Sequence, residues 1–517
     1  MKLMELYKEK IMGAISGLDR IRFRGSLRWL ADQRGINIFL RGHGILLKDF
    51  TAWAKKITAN IRQVCDRQAE LLGWPTVYLN RSGINKEEMA RRIALENGIT
   101  EGPICNFSVL ETCYSPRIKG NKAKKQLEVK IVSSKCIHLY HYFNDPEYGF
   151  GHVRLQTWAP YNIFICLNGR HWLERQLLKK GIAYIKDGNC FPWIEDLEAA
   201  QRLLNMQLKS NWSQVLTGLL GQMCPGLAQA IFPVRPDYYW SADDTEWATD
   251  IMFRSVSELD SLYPHLLYHG MKCSDSSTVM RYLGRRDGRG LLPSEVQSDY
   301  RRRYEGIRLK HWKNNNSVKM YNKSGSILRI ETTITNSRDF KVYRHPDDDE
   351  SRPASWQKMR KGVSDLHRRC QVSQQCNDRY ADALTAAQVE ETLQEVAEPA
   401  CNQVSKQGKK YRGLNPWRAD DGKLLSFLTR GAHALNGFRN RDLREWLYPE
   451  SQKQPKDQQR KYSDRVTRRL KLLRAHGLVR KVAKEKRYVL TAKGRKFGTA
   501  LKVAGDVKIK GLMEMAA

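Results

Sequence analysis

Several familiar kinds of segment are missing from this chain of 517 residues. No run approaches the roughly 20 consecutive apolar residues that a membrane-crossing helix needs. Its 11 cysteines include no CxxC pair and no ribbon or finger spacing. They are therefore read as reduced thiols, with no structural zinc expected. There is no P-loop, no dinucleotide fingerprint and no GxSxG elbow, so no nucleotide cofactor is expected and ATP-driven or acyl-transfer chemistry is unsupported. The opening residues, MKLMELYKEKIMGAISG, mix charges through the first turns and lack the apolar centre of a secretion signal. These absences lead us to expect an intracellular, cytoplasmic protein.

Acidic residues are also scarce. The chain has 55 Asp+Glu against 89 Lys+Arg, a net charge of +34. Self-repulsion of that size is tolerable when the partner is a polyanion. Nucleic acid leads over an anionic membrane surface, with DNA first and RNA as the alternative. A homodimer is compatible with this reading. Hydrophobic content of 41%, with 13 Trp and 22 Tyr, marks folded material with room for more than one domain.

The periodicities predict an α+β protein. Residues 1–100 read as a helical, basic N-terminal region. Within it, Leu47 to Gly73 carries an apolar stripe (Phe50, Trp53, Ala54, Ile57, Ile61), and a capped helix starts at Asn85. Residues 101–400 read as a mixed central body. Short β-branched and aromatic runs between Gly102 and Asn168 predict a meandering antiparallel sheet, with the lysine cluster Lys119 to Lys125 in one of its loops and helices at 170–180, 194–211 and 212–223 to cover it. Asp243-Asp244-Thr245-Glu246 reads as the cap of a helix through Trp247 and Ile251, with Glu246 and Asp250 on one face as dipole complements or paired carboxylates. Residues 401–421 have the composition of a linker, and 422–517 form a C-terminal module.

Within the body, Ser317 to Ile334 alternates through both arms of a hairpin that turns at Lys323-Ser324-Gly325. Val318, Met320, Leu328, Ile330 and Ile334 fall on one face. Lys319, Tyr321, Arg329 and Glu331 fall on the other, where a solvated sheet face is the plain alternative to a site. The basic run from Arg301 to Lys313 leads into it, with Arg301, Arg302 and Arg303 between two tyrosines.

The C-terminal module predicts two short helices, then an amphipathic helix from Ser463 to His476. That helix carries Val466, Leu470 and Leu473 inward and Arg465, Arg468, Arg469 and Lys471 outward. Two strands follow, joined by the tip Ala483-Lys484-Glu485-Lys486, and a closing helix. The string VTRRLKLLRAHGLVRKV…RYVLTAKG resembles a winged helix-turn-helix domain. The resemblance implies DNA contact through the basic helix and through Lys484 and Lys486 of the wing.

The hairpin string VKMYNKSG…LRIETTI is similar to one in rolling-circle replication initiators of plasmids and filamentous phages, in which a metal-bound site on an antiparallel sheet positions a tyrosine to attack a DNA phosphate. The resemblance implies Glu331 as a metal ligand or base, Tyr321 as a nucleophile, and Lys319, Lys323 and Arg329 as phosphate clamps. The chain departs from that pattern in having no His-hydrophobic-His pair. The nearest substitutes are His152, on one strand face with Arg154 and Gln156, and His138 with His141 on the strand before. With Glu331, His138 and His152 give a ligand set suited to Mg or Mn, and His152 is also a general-base candidate. The expectation is a mobile-element type DNA-processing protein that nicks or cleaves with a metal. The alternatives are a non-enzymatic DNA-binding regulator and an RNA-binding protein.

Overall fold

The computed structural model describes residues 2–73, 75–274, 276–284, 296–346, 351–385, 393–428, 437–482 and 485–506. The chain forms two compact units that interleave along the sequence. The first comprises Ala14–Asp250 and Glu331–Gln374; the second comprises Met1–Gly13, Ile251–Ile330 and Gln375–Ala517.

In chain order the strands are β1 (Ile11–Ser26), β2 (Val77–Leu79), β3 (Gly102–Asn121), β4 (Gln126–Asp145), β5 (Gly149–Gln156), β6 (Ile163–Asn168), β7 (Tyr184–Asp187), β8 (Cys190–Ile194), β9 (Tyr239–Phe253), β10 (Gln297–Arg303), β11 (Gly306–Lys313), β12 (Asn316–Lys323) and β13 (Ile327–Ile334). Between and after them come helices α1 (Lys2–Leu6), α2 (Gln33–Gly42), α3 (Phe50–Leu71), α4 (Lys86–Glu96), α5 (Gly169–Lys180), α6 (Leu197–Gln207), α7 (Trp212–Met223), α8 (Leu227–Ala230), α9 (Val256–Cys273), α10 (Ser276–Tyr282) and α11 (Leu366–Leu384).

One chain path is used twice. β1 leads through α2–α4 to β3–β6 and then α5, with sheet order β1-β6-β5-β4-β3. β9 leads through α9 and α10 to β10–β13 and then α11, with sheet order β9-β13-β12-β11-β10. The short β2 is an addition to the first copy and runs parallel to β3.

In the first unit, period-2 sequence makes β1 a strand. Ile21 and Phe23 are buried on one side, and Arg22 and Arg24 alternate with them on the other. Phe23 meets Trp212 of α7 at 5.0 Å, and Phe50 of α3 meets Trp158 edge-on at 6.4 Å. α4 caps through Asn85, whose side chain accepts from the Glu88 amide, and it packs Ala90 with Phe107, Val109, Tyr140 and Tyr142 of β3 and β4. These parts of the sequence reading hold: the strand-rich 102–168 segment, the α3 stripe and the α4 cap.

Two segments differ from expectation. Ile11–Ser26, within the region read as helical, is a strand. Tyr239–Phe253 is also a strand, so Asp243 to Glu246 does not cap a helix. The physical reason is that β9 satisfies a two-residue period from a neighbouring helix. Arg369 of α11 donates to Thr245 Oγ1 at 2.8 Å, and Gln374 Oε1 accepts from Trp247 Nε1 at 2.6 Å. Tertiary partners of this kind override local capping preference.

Two fully buried arginines fasten the first unit. Arg369 donates to the Ala242 carbonyl at 2.6 Å and also to the Ile334 carbonyl, joining β9 to the end of β13. Burial lowers its pKa to about 10, with Asp244 opposing the shift. Arg170 of α5 pairs with Asp250 at 2.9 Å, neither side chain being exposed, and donates to the Ala248 carbonyl at 3.1 Å.

In the second unit, β11 and β12 pair antiparallel, with Arg308 opposite Tyr321 and Lys310 opposite Lys319. Gly325 takes φ +70° at the turn between β12 and β13, as the hairpin reading requires. The polar side of that hairpin is not a solvated face: Lys319 and Tyr321 are 7% and 6% exposed. Short strands Lys341–Arg344 and Ser355–Lys358, in the first unit, pair with each other.

The segment read as a linker is structured. Val404–Lys406 pairs with Lys409–Tyr411, and Leu414 enters a core with Leu424, Phe427, Leu443, Leu470 and Leu473. Helices Ala419–Leu428, Asn440–Leu447 and Lys456–Ala475, the hairpin Val479–Lys481 with Tyr488–Leu490, and helix Ala492–Asp506 follow in the order expected.

The Arg170–Asp250 pair yields a stability prediction. Asp250→Asn leaves a buried guanidinium without its counter-charge and should destabilise the fold by about 3–5 kcal/mol, whereas Arg170→Met with Asp250→Leu should recover most of that loss. Denaturant midpoints of the two variants check it.

Candidate functional site

Three strands of the first unit bring carboxylates together. Asp19 on β1, Glu246 on β9 and Glu331 on β13 have donor oxygens within 4.8 Å of one another. Asp19 and Glu331 are buried and Glu246 is partly exposed. Thr245 and Trp247 are held from α11, so strand alternation turns Glu246 to the opposite face of β9.

Asp19 is oriented by two amides. Asn168 Nδ2 donates to Oδ1 at 3.1 Å and Asn189 Nδ2 to Oδ2 at 2.7 Å. The Oδ1 of Asn168 meanwhile caps α5, accepting from the Arg170 and His171 amides. One side chain thus starts the helix and fixes the carboxylate. Two asparagines in this role constrain a site residue as second-layer partners do in metal centres.

Cations border the group. Burial opposes the charge on Arg20, but Cys166, Glu246 and Asp244 together raise its pKa above that of an ordinary arginine. Arg22 pairs with Asp243 at 2.7 Å, and Thr335 donates to Asp244 at 2.7 Å. The donor set is all oxygen, from three residues, which suits a hard cation such as Mg or Mn.

Sequence reasoning singled out Glu331 for this role and noted Glu246 in a different setting, paired with Asp250. The structure separates that pair: Asp250 belongs to Arg170. Asp19 was missed. The signal for it lay in the alternation of Ile11 to Ser26, which makes its segment a strand.

The histidines sit elsewhere. His138 Nδ1 lies 3.2 Å from the Cys136 carbonyl and His141 Nδ1 lies 2.9 Å from Asn106 Oδ1. His152 packs against the rings of Tyr142 and Tyr140 at 5.0 and 5.6 Å. Among the described residues, the group containing Glu331 includes neither His138 nor His152. Burial lowers the pKa of His138 and His141 to about 4 and that of His152 to about 3. On the same strand as His152, Arg154 is taken up by Glu111 at 2.7 Å, and Glu111 also accepts from the Tyr140 hydroxyl at 2.9 Å. Gln156 bonds the Trp158 carbonyl at 3.1 Å.

In the second unit, Tyr321 lies between two ammonium groups, Lys319 Nζ at 5.6 Å and Lys323 Nζ at 5.7 Å from its ring centre. Lys323 also pairs with Glu305 at 3.4 Å. Arg329 is fully buried and has polar partners. Arg301 pairs with Asp299 at 2.7 Å, and Arg302 and Arg303 are exposed on β10.

In the C-terminal module Arg465, Arg468 and Lys471 are exposed along helix Lys456–Ala475, as is Lys486 in the turn of the last hairpin. Lys484 lies outside the described residues. Arg469 departs from the outward set, donating to Asp421 at 3.1 Å and Asp420 at 3.2 Å.

Two predictions follow from these placements. Histidines whose folded pKa is depressed below the ordinary 6.5 contribute stability that is fully present above pH 6.5 and is lost as pH falls toward their folded values near 4 and 3. The melting temperature should therefore fall between pH 6.5 and 4, and His152→Phe should flatten that fall. In the C-terminal module, Arg469→Ala should lower stability by about 1–3 kcal/mol through its lost charged hydrogen bonds. Arg468→Ala should leave stability unchanged and weaken nucleic-acid binding; paired denaturation and binding titrations separate the two. No family model, no curated protein and no solved structure matches the chain.

Proposed function

We propose that this chain is a DNA-processing protein of the replication-initiator kind, which binds DNA through its basic surfaces and nicks or cleaves it in a metal-dependent reaction. The observation that carries the reading is the convergence of Asp19, Glu246 and Glu331 from three strands onto one point in a chain of net charge +34. A carboxylate cluster in so cationic a chain suits a phosphodiester backbone whose cleavage needs a bound cation.

Asp19, Glu246 and Glu331 would hold Mg or Mn, and such an ion, when bound, supplies charge neutralisation at the phosphate and a more acidic attacking hydroxyl. Asn168 and Asn189 hold Asp19 in place, and the charge of Arg20 interacts with that of Glu246. The C-terminal module, read as a winged helix, would set the protein on duplex DNA through Arg465, Arg468 and Lys471.

The test is a cleavage assay on labelled single- and double-stranded DNA and RNA with Mg or Mn. Glu331→Gln and Asp19→Asn should each lower the rate by at least about 100-fold, the scale on which loss of an electrostatic stabiliser is felt, while DNA binding is kept. Full cleavage by the Glu331 and Asp19 variants would sink the reading, and DNA bound without any cleavage by wild type would favour a non-enzymatic regulator.

A further inference from the structure

The first unit carries a long cationic arm that the carboxylate site does not use. β3 and β4 pair with each other over nearly their whole lengths, from Gly102↔Asn144 to Asn121↔Gln126. Their other strand partners stop early: β2 accompanies β3 only at Phe107–Val109 and β5 accompanies β4 only at His138–Asp145. From Thr112↔Lys135 to the turn, the two strands therefore form a ribbon with no third strand among the described residues. At about 3.4 Å per residue its ten pairs extend roughly 30 Å.

One side of the ribbon is anchored along most of its length. Trp158 Nε1 donates to the Pro116 carbonyl at 3.4 Å, the Arg117 guanidinium lies 4.7 Å from the Trp158 ring centre, and Gln33 of α2 donates to the carbonyl of the buried Val129, opposite Ile118 and three pairs from the end. The outer part is open. Lys119, Lys122, Lys124, Lys125 and Lys130 are all exposed, as is Tyr114 at 73%. Between Thr112 and Lys135 there are seven cations and one acid, Glu128. Glu128 is shared by Asn121 at 2.7 Å and Lys124 at 3.6 Å. The excess positive charge has no counterpart within the ribbon.

We propose that this ribbon is a docking arm for duplex DNA, lying in the major groove with its turn lysines on the flanking phosphates. The inference rests on the nucleic-acid reading above and adds an element that reading does not assign. The fit is one of charge and width. A two-stranded ribbon enters a groove about 12 Å wide, and its lysines meet a backbone carrying one charge per about 1.7 Å. Exposed Tyr114, across from Ser133, gives the arm an apolar contact with base edges. Such an arm holds the duplex from the sheet unit itself, in addition to any contact made by the C-terminal module.

The experiment uses the full chain and a fluorescent duplex of about 30 base pairs, titrated between about 50 and 200 mM salt without divalent metal. A single strand of the same length and vesicles of phosphatidylcholine and phosphatidylserine are run beside it. In the variant Lys119→Gln/Lys122→Gln/Lys124→Gln/Lys125→Gln, the slope of log affinity against log salt for duplex should become shallower by about 3–4, with affinity at least tenfold weaker at about 100 mM. Lys122→Glu, a single change at an exposed turn position, should weaken duplex binding with the melting temperature unchanged. An unchanged duplex slope, or a loss confined to the single strand or the vesicles, would overturn the proposal. The two readings fail separately. If Glu331→Gln abolishes cleavage while the four-lysine variant keeps the wild-type slope, the arm is wrong and the site stands. If the slope falls although no substrate is cut, the arm stands and the cleavage reading falls.

Discussion

Three carboxylates with oxygens within 4.8 Å of one another repel, and the polar structure of the first unit is arranged around that repulsion. Like charges so close need donors or cations to compensate them. Asn168 and Asn189 supply two donors to Asp19. Arg20 and Arg22 answer Glu246 and Asp243. Arg369 stitches the Ala242 and Thr245 end of β9 to Ile334 of β13, so the strands bearing Glu246 and Glu331 are held together by a cation that donates to two carbonyls and a hydroxyl. A scaffold with that much buried polar structure is costly to assemble from hydrophobic sequence alone.

The duplicated chain path explains where the acids come from. Asp19 lies on the opening strand of the first copy, Glu246 on the opening strand of the second, and Glu331 on the closing strand of the second. In each copy the opening and closing strands are sheet neighbours. The three carboxylates therefore fall on the strands that begin and end a copy, where the path returns to itself. The middle strands are left to other tasks, and β3 with β4 has used that freedom to grow to 20 residues each.

Much of the framework was legible in the sequence, and for identifiable reasons. The stripe of Phe50, Ala54, Ile57 and Ile61, the Asn85 cap and the β-branched runs of 102–168 are local patterns whose partners lie in the same stretch of chain. The hairpin around Gly325 was legible because its turn needs a left-handed residue. The strand at 239–253 was not: Asp243-Asp244-Thr245-Glu246 is a sound helix cap by composition, and what defeats it is Arg369 and Gln374, more than 120 residues away. The same blindness hid the site. Glu331 was visible in a polar hairpin, but its companions are 85 and 312 positions earlier in the chain, a separation no spacing rule covers.

The histidines take a setting apart from the carboxylates. His138, His141 and His152 look well placed on neighbouring strands, yet each is pressed against aromatic or amide neighbours, with folded pKa values of about 4, 4 and 3. A neutral imidazole can ligate a metal, so low basicity alone does not remove them. What separates them from the carboxylates is position: among the described residues, the group that contains Glu331 includes none of the three. Oxygen donors from three strands are what the fold brings to one point. A point lined by oxygen donors alone suits a hard cation.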